Sequence, residues 1–453
     1  MQATQNTIGN SVPSAVVVGL GKNSISCAAY LIDEGWDVEM LDVKPHPQLE
    51  RLAESELPGI MIHSEVDPYA FMNANMVVTT RVMTGQYSQV AQIASEYGCR
   101  TVTSLELFFE RSTKPVVAIV GSNGKSTVLA LVDAIANRQG RATCIDAKYG
   151  YPFLDLLDAD QPDVYVMELS AQQLAQVHSI SPDIITILNH SADNGAVTSI
   201  DTVKRVARNA DLRIVNRDDP AFSSADLKGA RIEFGRSGPK SESDYGILTE
   251  GKSRWVVKGT EKLIRTNHCA LQGSHNELNI VAACALAETI GYAPSVARNA
   301  IKNFKALPYS CEDEGRRNGI RWVNDARSTN VDSTIAAIEH SKGNVVLIAG
   351  GLSQGDDFAK VARKVNGKLT GCVLFGCDGW KLNQSFDSVK NKELVESIDD
   401  AIVAAEQIAS EGDCVVFSPG CVSHDMFSDY QQRGETFSKA LQTHFDGNNT
   451  DTI

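Results

Sequence analysis

The chain has 453 residues, 43% of them hydrophobic and 22% charged, with a formal net charge of −14. Such a length exceeds one hydrophobic core, so roughly three globular domains are expected. The negative charge argues against non-specific binding to nucleic acid or an anionic membrane surface, but not against anionic substrates held in a local basic pocket.

The first domain is expected over residues 1–103. It opens with the apolar run Ala15–Val18, then Gly19-Leu20-Gly21-Lys22, a helical pattern over Ile25–Leu31, and a strand over Val38–Asp42. This is a βαβ unit with a carboxylate about 20 residues after the glycines. One reading puts a nucleotide diphosphate at the glycine loop and Asp42 on a ribose or base. Ser24 stands where the dinucleotide fingerprint wants its third glycine, so a structural Rossmann-like domain fits the same pattern. A further strand over Asn75–Thr80 and a helix over Gln89–Ala94 follow. Arg81 ends that strand at the ligand-binding edge, where a solvated loop arginine is the plainer reading.

The central domain is expected over 104–306, and the chain is organised around its start. The buried-strand run Pro115–Val120 breaks into Gly121-Ser122-Asn123-Gly124-Lys125-Ser126-Thr127 and opens onto the helical pattern Val128–Val132. In strand–loop–helix order, backbone N–H groups and a helix N-terminus hold phosphate. Lys125 would reach the outer phosphates, and the hydroxyl of Ser126 or Thr127 would sit on Mg²⁺. Ile119 stands where the standard phosphate-loop pattern has its first glycine, so the loop is a shortened variant. A second strand over Asp163–Met167 ends in Glu168-Leu169-Ser170, and an acid there suits Mg²⁺. A third, Ile184–Leu188, ends in Asn189-His190-Ser191-Ala192-Asp193-Asn194. Each of these polar groups fits a turn or cap; together with the loop they read as one site. Gly273–Asn279 opens the helical run Ile280–Ala287. Asn276 is explained as an N-cap, whereas Asn279, inside the first turn, is a candidate base contact.

The third domain is expected over 307–453, after Leu307-Pro308. A strand over Gly319–Asp325 ends in a carboxylate, and Val345–Gly351, Cys372–Gly376 and Val415–Ser418 are further parallel strands with helices between. The tail Asp446–Asp451 is expected to be disordered. Ten cysteines without a C-x-x-C pair read as reduced, mostly buried thiols. With no basic-then-apolar leader and no apolar run near the roughly 20 residues that span a bilayer, a cytoplasmic location is expected.

These motifs together resemble the Mur ligases. The resemblance runs through Gly19-Leu20-Gly21, Gly121–Thr127, Glu168-Leu169-Ser170, Ile187-Leu188-Asn189 and Gly273–Asn279. It continues through Asn324-Asp325, Thr329-Asn330, Gly350-Gly351, Ser418-Pro419, Cys421, Ser423, Asp425-Met426-Phe427 and Arg433-Gly434. It implies an α/β protein of three domains: a Rossmann-like UDP-binding one, a central phosphate-loop ATPase with a parallel sheet, and a C-terminal dinucleotide-fold-like one. The activity it implies is ATP-dependent amide formation in peptidoglycan precursor synthesis. ATP phosphorylates the carboxylate of a UDP-linked muramoyl-L-alanine precursor, and the amine of D-glutamate attacks the acyl phosphate.

The resemblance also implies site residues. ATP falls to Gly121, Ser122, Asn123, Gly124, Lys125, Ser126, Thr127, Asn279 and Asp325, and Mg²⁺ to Ser126 and Glu168. The UDP-linked precursor falls to Gly19, Gly21, Lys22, Asp42 and Lys148, and the amino acid to Thr329, Ser423 and Tyr430. Arg327 joins Lys125 and Glu168 as a catalytic residue, facing the γ-phosphate. A monomer is expected.

The departures cluster in the site. A metal-binding histidine of the family is Asn194 here, and the lysine it carbamylates aligns with Arg208, or with Lys204 nearby. Arginine stays protonated and does not readily form a carbamate. The family's first-domain Ser-Pro-Gly reads Thr80-Arg81-Val82, its Gly-Gly-Asn-x-Gly reads Asp146–Gly150, and the lysine expected on the amino acid's carboxylate is Gln354. Three readings stay open. One is the D-glutamate-adding ligase, with Lys148 and Arg208 supplying positive charge in place of a second metal. Another is an amide ligase with a different acyl or amino partner. The last is a nucleotide-binding paralogue that does not catalyse.

Overall fold

The computed structural model describes residues 12–43, 47–80, 87–139, 143–146, 152–157, 162–190, 200–223, 227, 229–269, 271, 273–304, 308–329, 331–353, 357–365, 367–423 and 425–447. Three sheets account for its architecture, in an α/β fold as expected. The first is all parallel, in the order β3-β2-β1-β4-β5, with β1 Ser14–Val18, β2 Asp37–Leu41, β3 Met61–His63, β4 Met76–Thr79 and β5 Arg100–Thr103.

The second sheet has nine strands: β6 Val116–Val120, β7 Thr143–Asp146, β8 Val164–Leu169, β9 Ile184–Ile187, β10 Leu212–Asn216, β11 Ala230–Phe234, β12 Tyr245–Glu250, β13 Ser253–Lys258 and β14 Glu261–Arg265. Their order is β14-β13-β12-β11-β10-β9-β6-β8-β7, parallel except for the β12–β14 meander at one edge. β6 lies between β8 and β9 and is buried along its length, which explains its uninterrupted apolar run. Val117 and Ile119 pack into one core, while Val116, Ala118 and Val120 pack into another on the opposite face.

That second core continues into the first sheet. Val17, Leu105 and Phe108 belong to the same cluster as Val120 and Tyr165, and the Phe108 and Tyr165 rings meet edge-on at 5.2 Å. Polar ties reinforce it. Ser26 Oγ donates to Asp155 at 2.5 Å. Glu106, in the capping box of the helix Ser104–Arg111, accepts from Thr103 N at 2.8 Å, His178 N at 2.6 Å and Ser179 N at 3.2 Å. The first two sheets thus form one compact unit, which ends at Phe304.

The third sheet belongs to a second compact unit. It runs β15-β16-β20-β17-β18-β19, with β15 Glu312–Arg317, β16 Ile320–Asn324, β17 Val345–Gly350, β18 Leu369–Phe375, β19 Asn391–Leu394 and β20 Cys414–Phe417. Among these strands, as described, only the β15–β16 pair is antiparallel. Along β17, Val345, Leu347 and Ala349 face one helix layer, and Val346 and Ile348 the other. The last helix runs Tyr430–Gly447, so Asp446 and Gly447 are helical and not part of a disordered tail. Among the described residues, no helix is long and apolar enough to cross a membrane.

Candidate functional site

The loop Gly121–Gly124 leaves the carboxyl end of β6 and enters the helix Lys125–Gln139. Two of its residues must be glycine. Gly121 has φ 152°, and a Cβ there would lie 3.0 Å from Leu188 Cβ and 3.2 Å from the Asn189 backbone. Gly124 has φ 88°, and a Cβ would overlap the Asn279 carboxamide. The glycine pattern therefore reflects close approach of the loop to the end of β9 and to a second helix. That helix is Ser274–Thr289, with Gly273 at its N-cap; Asn276 lies in the first turn and is not the cap. Asn279 is 8% exposed.

Three charge-bearing or polar groups meet at this loop. Lys125 is half-buried, and its Nζ donates to Gly121 O at 2.7 Å and Ser122 O at 3.3 Å. Burial pushes its pKa below the ordinary lysine value, partly opposed by the Glu168 carboxylate. Glu168 is the fifth residue of β8, and Ser126 Oγ donates to its Oε2 at 2.6 Å. Hydroxyl and carboxylate oxygens are the donors that Mg²⁺ takes, usually one or two from protein with the rest from phosphate and water. The pair fits such an ion. Among the described residues no cluster of three or more His, Cys, Asp or Glu forms a metal cage. A lysine, a hydroxyl, a carboxylate and the unbonded amides of a helix start can bind a polyphosphate and neutralise charge on it.

The carboxyl end of β9 completes the edge. Asn123 N donates to Asn189 Oδ1 at 2.8 Å, and Asn189 Nδ2 donates to Asn123 O at 2.9 Å. His190 is not aimed at the loop. Its N–H donates to Asp219 at 2.6 Å and its ring meets Phe222 edge-on at 6.3 Å.

Arg208 is a correction. It is exposed in the last turn of the helix Ile200–Asn209, which leads into the amino end of β10. There the Arg208 carbonyl accepts from Arg213, and Asn209 donates to Ile180 O ahead of β9. Arg208 therefore lies at the sheet edge opposite the phosphate loop, because a crossover helix carries the chain back from one edge to the other. Lys148, Arg81, Val82, Ser191, Ala192, Asp193, Asn194, Leu307, Asn330 and Gln354 lie outside the described residues.

In the first sheet, Gly19 has φ 108° and Gly21 is the N-cap of the helix Lys22–Asp33, with Lys22 exposed at its start. Asp42 follows β2. It is 1% exposed and accepts from Tyr87 Oη at 2.7 Å, a partner that no motif signalled.

In the second unit, Asp325 follows β16 and is buried. It accepts from Cys311 N at 3.0 Å, from Ser418 Oγ at 2.8 Å and from Ser328 Oγ. Burial raises its pKa, against these donors. Arg327 Nη1 donates to Tyr430 Oη at 2.9 Å, and its guanidinium lies 4.9 Å from that ring's centre. Thr329 is half-buried, and Ser423, buried, accepts at its carbonyl from Phe427 N at 2.9 Å. Arg433, fully buried, donates to Cys421 O at 2.9 Å and Ala326 O at 2.8 Å, so it ties together the loops that carry Arg327 and Ser423. The sequence marked Arg433 only as part of a motif. Its role needed the fold.

Comparisons with known proteins agree with this geometry. Residues 119–287 match the family described as Mur ligase middle domain, and residues 312–421 match Mur ligase, glutamate ligase domain. The UDP-N-acetylmuramoylalanine–D-glutamate ligase of Nitrosococcus oceani is 33% identical over 438 residues, covering 95% of this chain and 96% of the relative. The ligase of the same name from Legionella pneumophila is 33% identical over 445 residues, covering 94% and 98%. Among solved structures, the UDP-N-acetylmuramate–alanine ligase of Thermotoga maritima aligns with a TM-score of 0.60 at 17% identity, over 96% of this chain and 100% of the other. A pseudomurein peptide ligase type C from Methanothermus fervidus aligns with a TM-score of 0.59 at 16% identity, over 94% and 99%. The structural likenesses speak to the fold alone. The identity to the curated relatives, sustained along nearly their full length and joined to the loop geometry, shows that this chain belongs to the Mur ligase family.

Proposed function

We propose that this chain is an ATP-dependent ligase that joins D-glutamate to UDP-N-acetylmuramoyl-L-alanine in peptidoglycan precursor synthesis. The observation that carries the proposal is the convergence of Lys125, Ser126 and Glu168 at one strand edge, Ser126 Oγ lying 2.6 Å from Glu168. Similarity to relatives bearing that activity's name supports the choice of substrates.

A free carboxylate is a poor electrophile. In the proposed reaction the muramoyl-alanine carboxylate attacks the γ-phosphorus of ATP, and ADP leaves. The glutamate amine then attacks the acyl carbon; phosphate departs with the acyl oxygen, and the amine loses a proton. Lys125 trades its two loop carbonyls for phosphate oxygens and offsets the charge that develops on them. Ser126 and Glu168 would hold Mg²⁺, which when bound supplies further positive charge to the phosphates. The loop Gly121–Thr127 orients the phosphates through the amides left unbonded at the helix start, and Asn279 faces the base. Asp325 and Arg327 keep the ATP roles that the resemblance gives them. Gly19, Gly21, Lys22, Asp42 and Lys148 are assigned to the UDP-linked precursor, and Thr329, Ser423 and Tyr430 to the amino acid. We place the enzyme in the cytoplasm as a monomer.

A second reading, a ligase of the same type with another amino partner, is favoured by Gln354 at the position expected to grip the amino acid's carboxylate. Phosphate release with UDP-N-acetylmuramoyl-L-alanine and a panel of amino acids separates the two. Release that requires D-glutamate supports the first. Release with a different amino acid and none with D-glutamate supports the second. No release with any member of the panel, from protein that binds ATP, would point to the non-catalytic paralogue.

A further inference from the structure

We propose that Asn189 is the positioning residue of the phosphate loop, the group that decides which of the loop's amides face a phosphate. The proposal rests on the nucleotide-binding reading above. Asn189 reads the loop backbone in both directions, with Oδ1 taking Asn123 N at 2.8 Å and Nδ2 giving to Asn123 O at 2.9 Å. Its own carbonyl takes Ser122 N at 3.0 Å. Ser122 and Asn123 therefore spend their amides on the end of β9. The first-turn amides of Lys125, Ser126 and Thr127 have no acceptor within their helix and remain for an anion. Were the carboxamide absent, the Asn123 peptide could rotate, and the loop would present a changed set of donors.

The clamp is itself anchored. Leu188 N donates to Val120 O at 2.9 Å, Asn216 Nδ2 donates to Leu188 O at 2.7 Å, and His190 N donates to Asp219 at 2.6 Å. Residues on both sides of Asn189 are thus fixed, Leu188 to the flanking strands and His190 to the turn after β10, and the close approach of Gly121 to Leu188 and Asn189 leaves little room for the loop to slide. Asn189 is half-buried and Asn123 exposed, so these bonds compete with water. They add little to global stability while setting local geometry. No shorter side chain spans the gap with both a donor and an acceptor.

The test is calorimetric ATP binding by the full chain, wild type against Asn189→Ala, with melting temperatures recorded for both. The wild type binds ATP; failure at this step would remove the nucleotide reading itself and the clamp with it. Asn189→Ala should weaken ATP by about 10-fold or more, the scale of two lost hydrogen bonds to a preorganised loop. Its melting temperature without nucleotide should stay near that of the wild type. In the ligation assay the variant should raise the KM for ATP, with the KM values of the other two substrates unchanged. Equal ATP affinity in both proteins would overturn the proposal. So would a variant whose weaker binding is matched by a general loss of stability and by higher KM for all three substrates.

Discussion

Two polar clusters occupy the carboxyl ends of parallel strands, one at β6, β8 and β9, the other at β16 and β20, and they follow opposite plans. At the first, Lys125 and Glu168 are half-buried and their partners are replaceable: two carbonyls of the lysine's own loop and a serine hydroxyl. At the second, Asp325 is 5% exposed and accepts from three donors, while Arg433 is 0% exposed and donates to neutral carbonyls. Burial pulls the Arg433 pKa down to about 10. A charge in that position persists because its removal strands the carbonyls it serves. Polar residues are thus lightly held in one region, where the proposed phosphate site lies, and staple loops in the other.

The largest effect expected is at the exchangeable cluster. Lys125→Ala should lower ATP turnover by about 10³-fold, since in the proposed reaction its charge acts on the transferred phosphate. Unfolding of the first unit should change by less than about 1 kcal/mol, because the bonds it loses are to half-exposed carbonyls. Wild-type turnover in a folded variant would place the chemistry elsewhere.

The stapling cluster should respond in the reverse way. Arg433→Met removes the donors to Cys421 O and Ala326 O and should cost the second unit about 3 kcal/mol. Hydrogen exchange read segment by segment suits a chain of two units, because it reports on each of them separately. Faster exchange over Ala326–Ser328 and Cys421–Ser423, with the Gly121–Thr127 loop unchanged, is the expected pattern. Exchange that rises equally in both regions would dissolve the distinction.

Much of the first cluster was legible in the sequence because its chemistry is local. Glycine spacing, a lysine and a hydroxyl follow one strand within seven residues, Gly121–Thr127, and Glu168 sits at the end of the next apolar run. The parallel strands were legible for the same reason, as buried runs. The β11–β14 edge was not, since runs such as Glu261–Arg265 carry charges on a half-exposed sheet. Nor was the orientation of the helix Ile200–Asn209, which removes Arg208 from the site; position along a sequence does not say which edge of a sheet a residue reaches. Tyr87 and Arg433 were hidden because their partners lie far off in sequence: Asp42 is 45 residues from Tyr87, and Ala326 is 107 from Arg433.

Glu106 tests whether stapling is confined to the second unit. It holds Thr103, His178 and Ser179, and although burial opposes it, those donors bring its pKa below the ordinary value of 4.5. A depressed carboxylate contributes stability that is present above the unfolded-state pKa and lost as pH falls through the folded-state value. Glu106→Gln should therefore cost about 2 kcal/mol at pH 7, with the gap between wild type and variant closing as pH is taken down to 3. A gap that stays constant over that range would mean the carboxylate's charge plays no part.

The smallest effect, and the finest test, is at Asp325. Burial outweighs its three donors, so its folded-state pKa is raised where that of Glu106 is lowered. A raised carboxyl favours the protonated form: the stability linked to it is complete below the unfolded-state pKa and is lost as pH rises through the folded-state value. A carboxamide at this position is uncharged at every pH and keeps one carbonyl oxygen for the donors around it, so Asp325→Asn should alter stability by no more than about 1 kcal/mol at pH 7. The gap between wild type and variant should narrow or reverse as pH rises from 4 to 8, the opposite slope to that of Glu106→Gln. If Asp325 also contacts the ATP ribose, the KM for ATP should rise in the variant although its stability barely moves. Two gaps with the same slope would mean that Asp325 is stabilised as an anion, and the contrast between an exchangeable cluster and a sealed one would have to be redrawn around Arg433 alone.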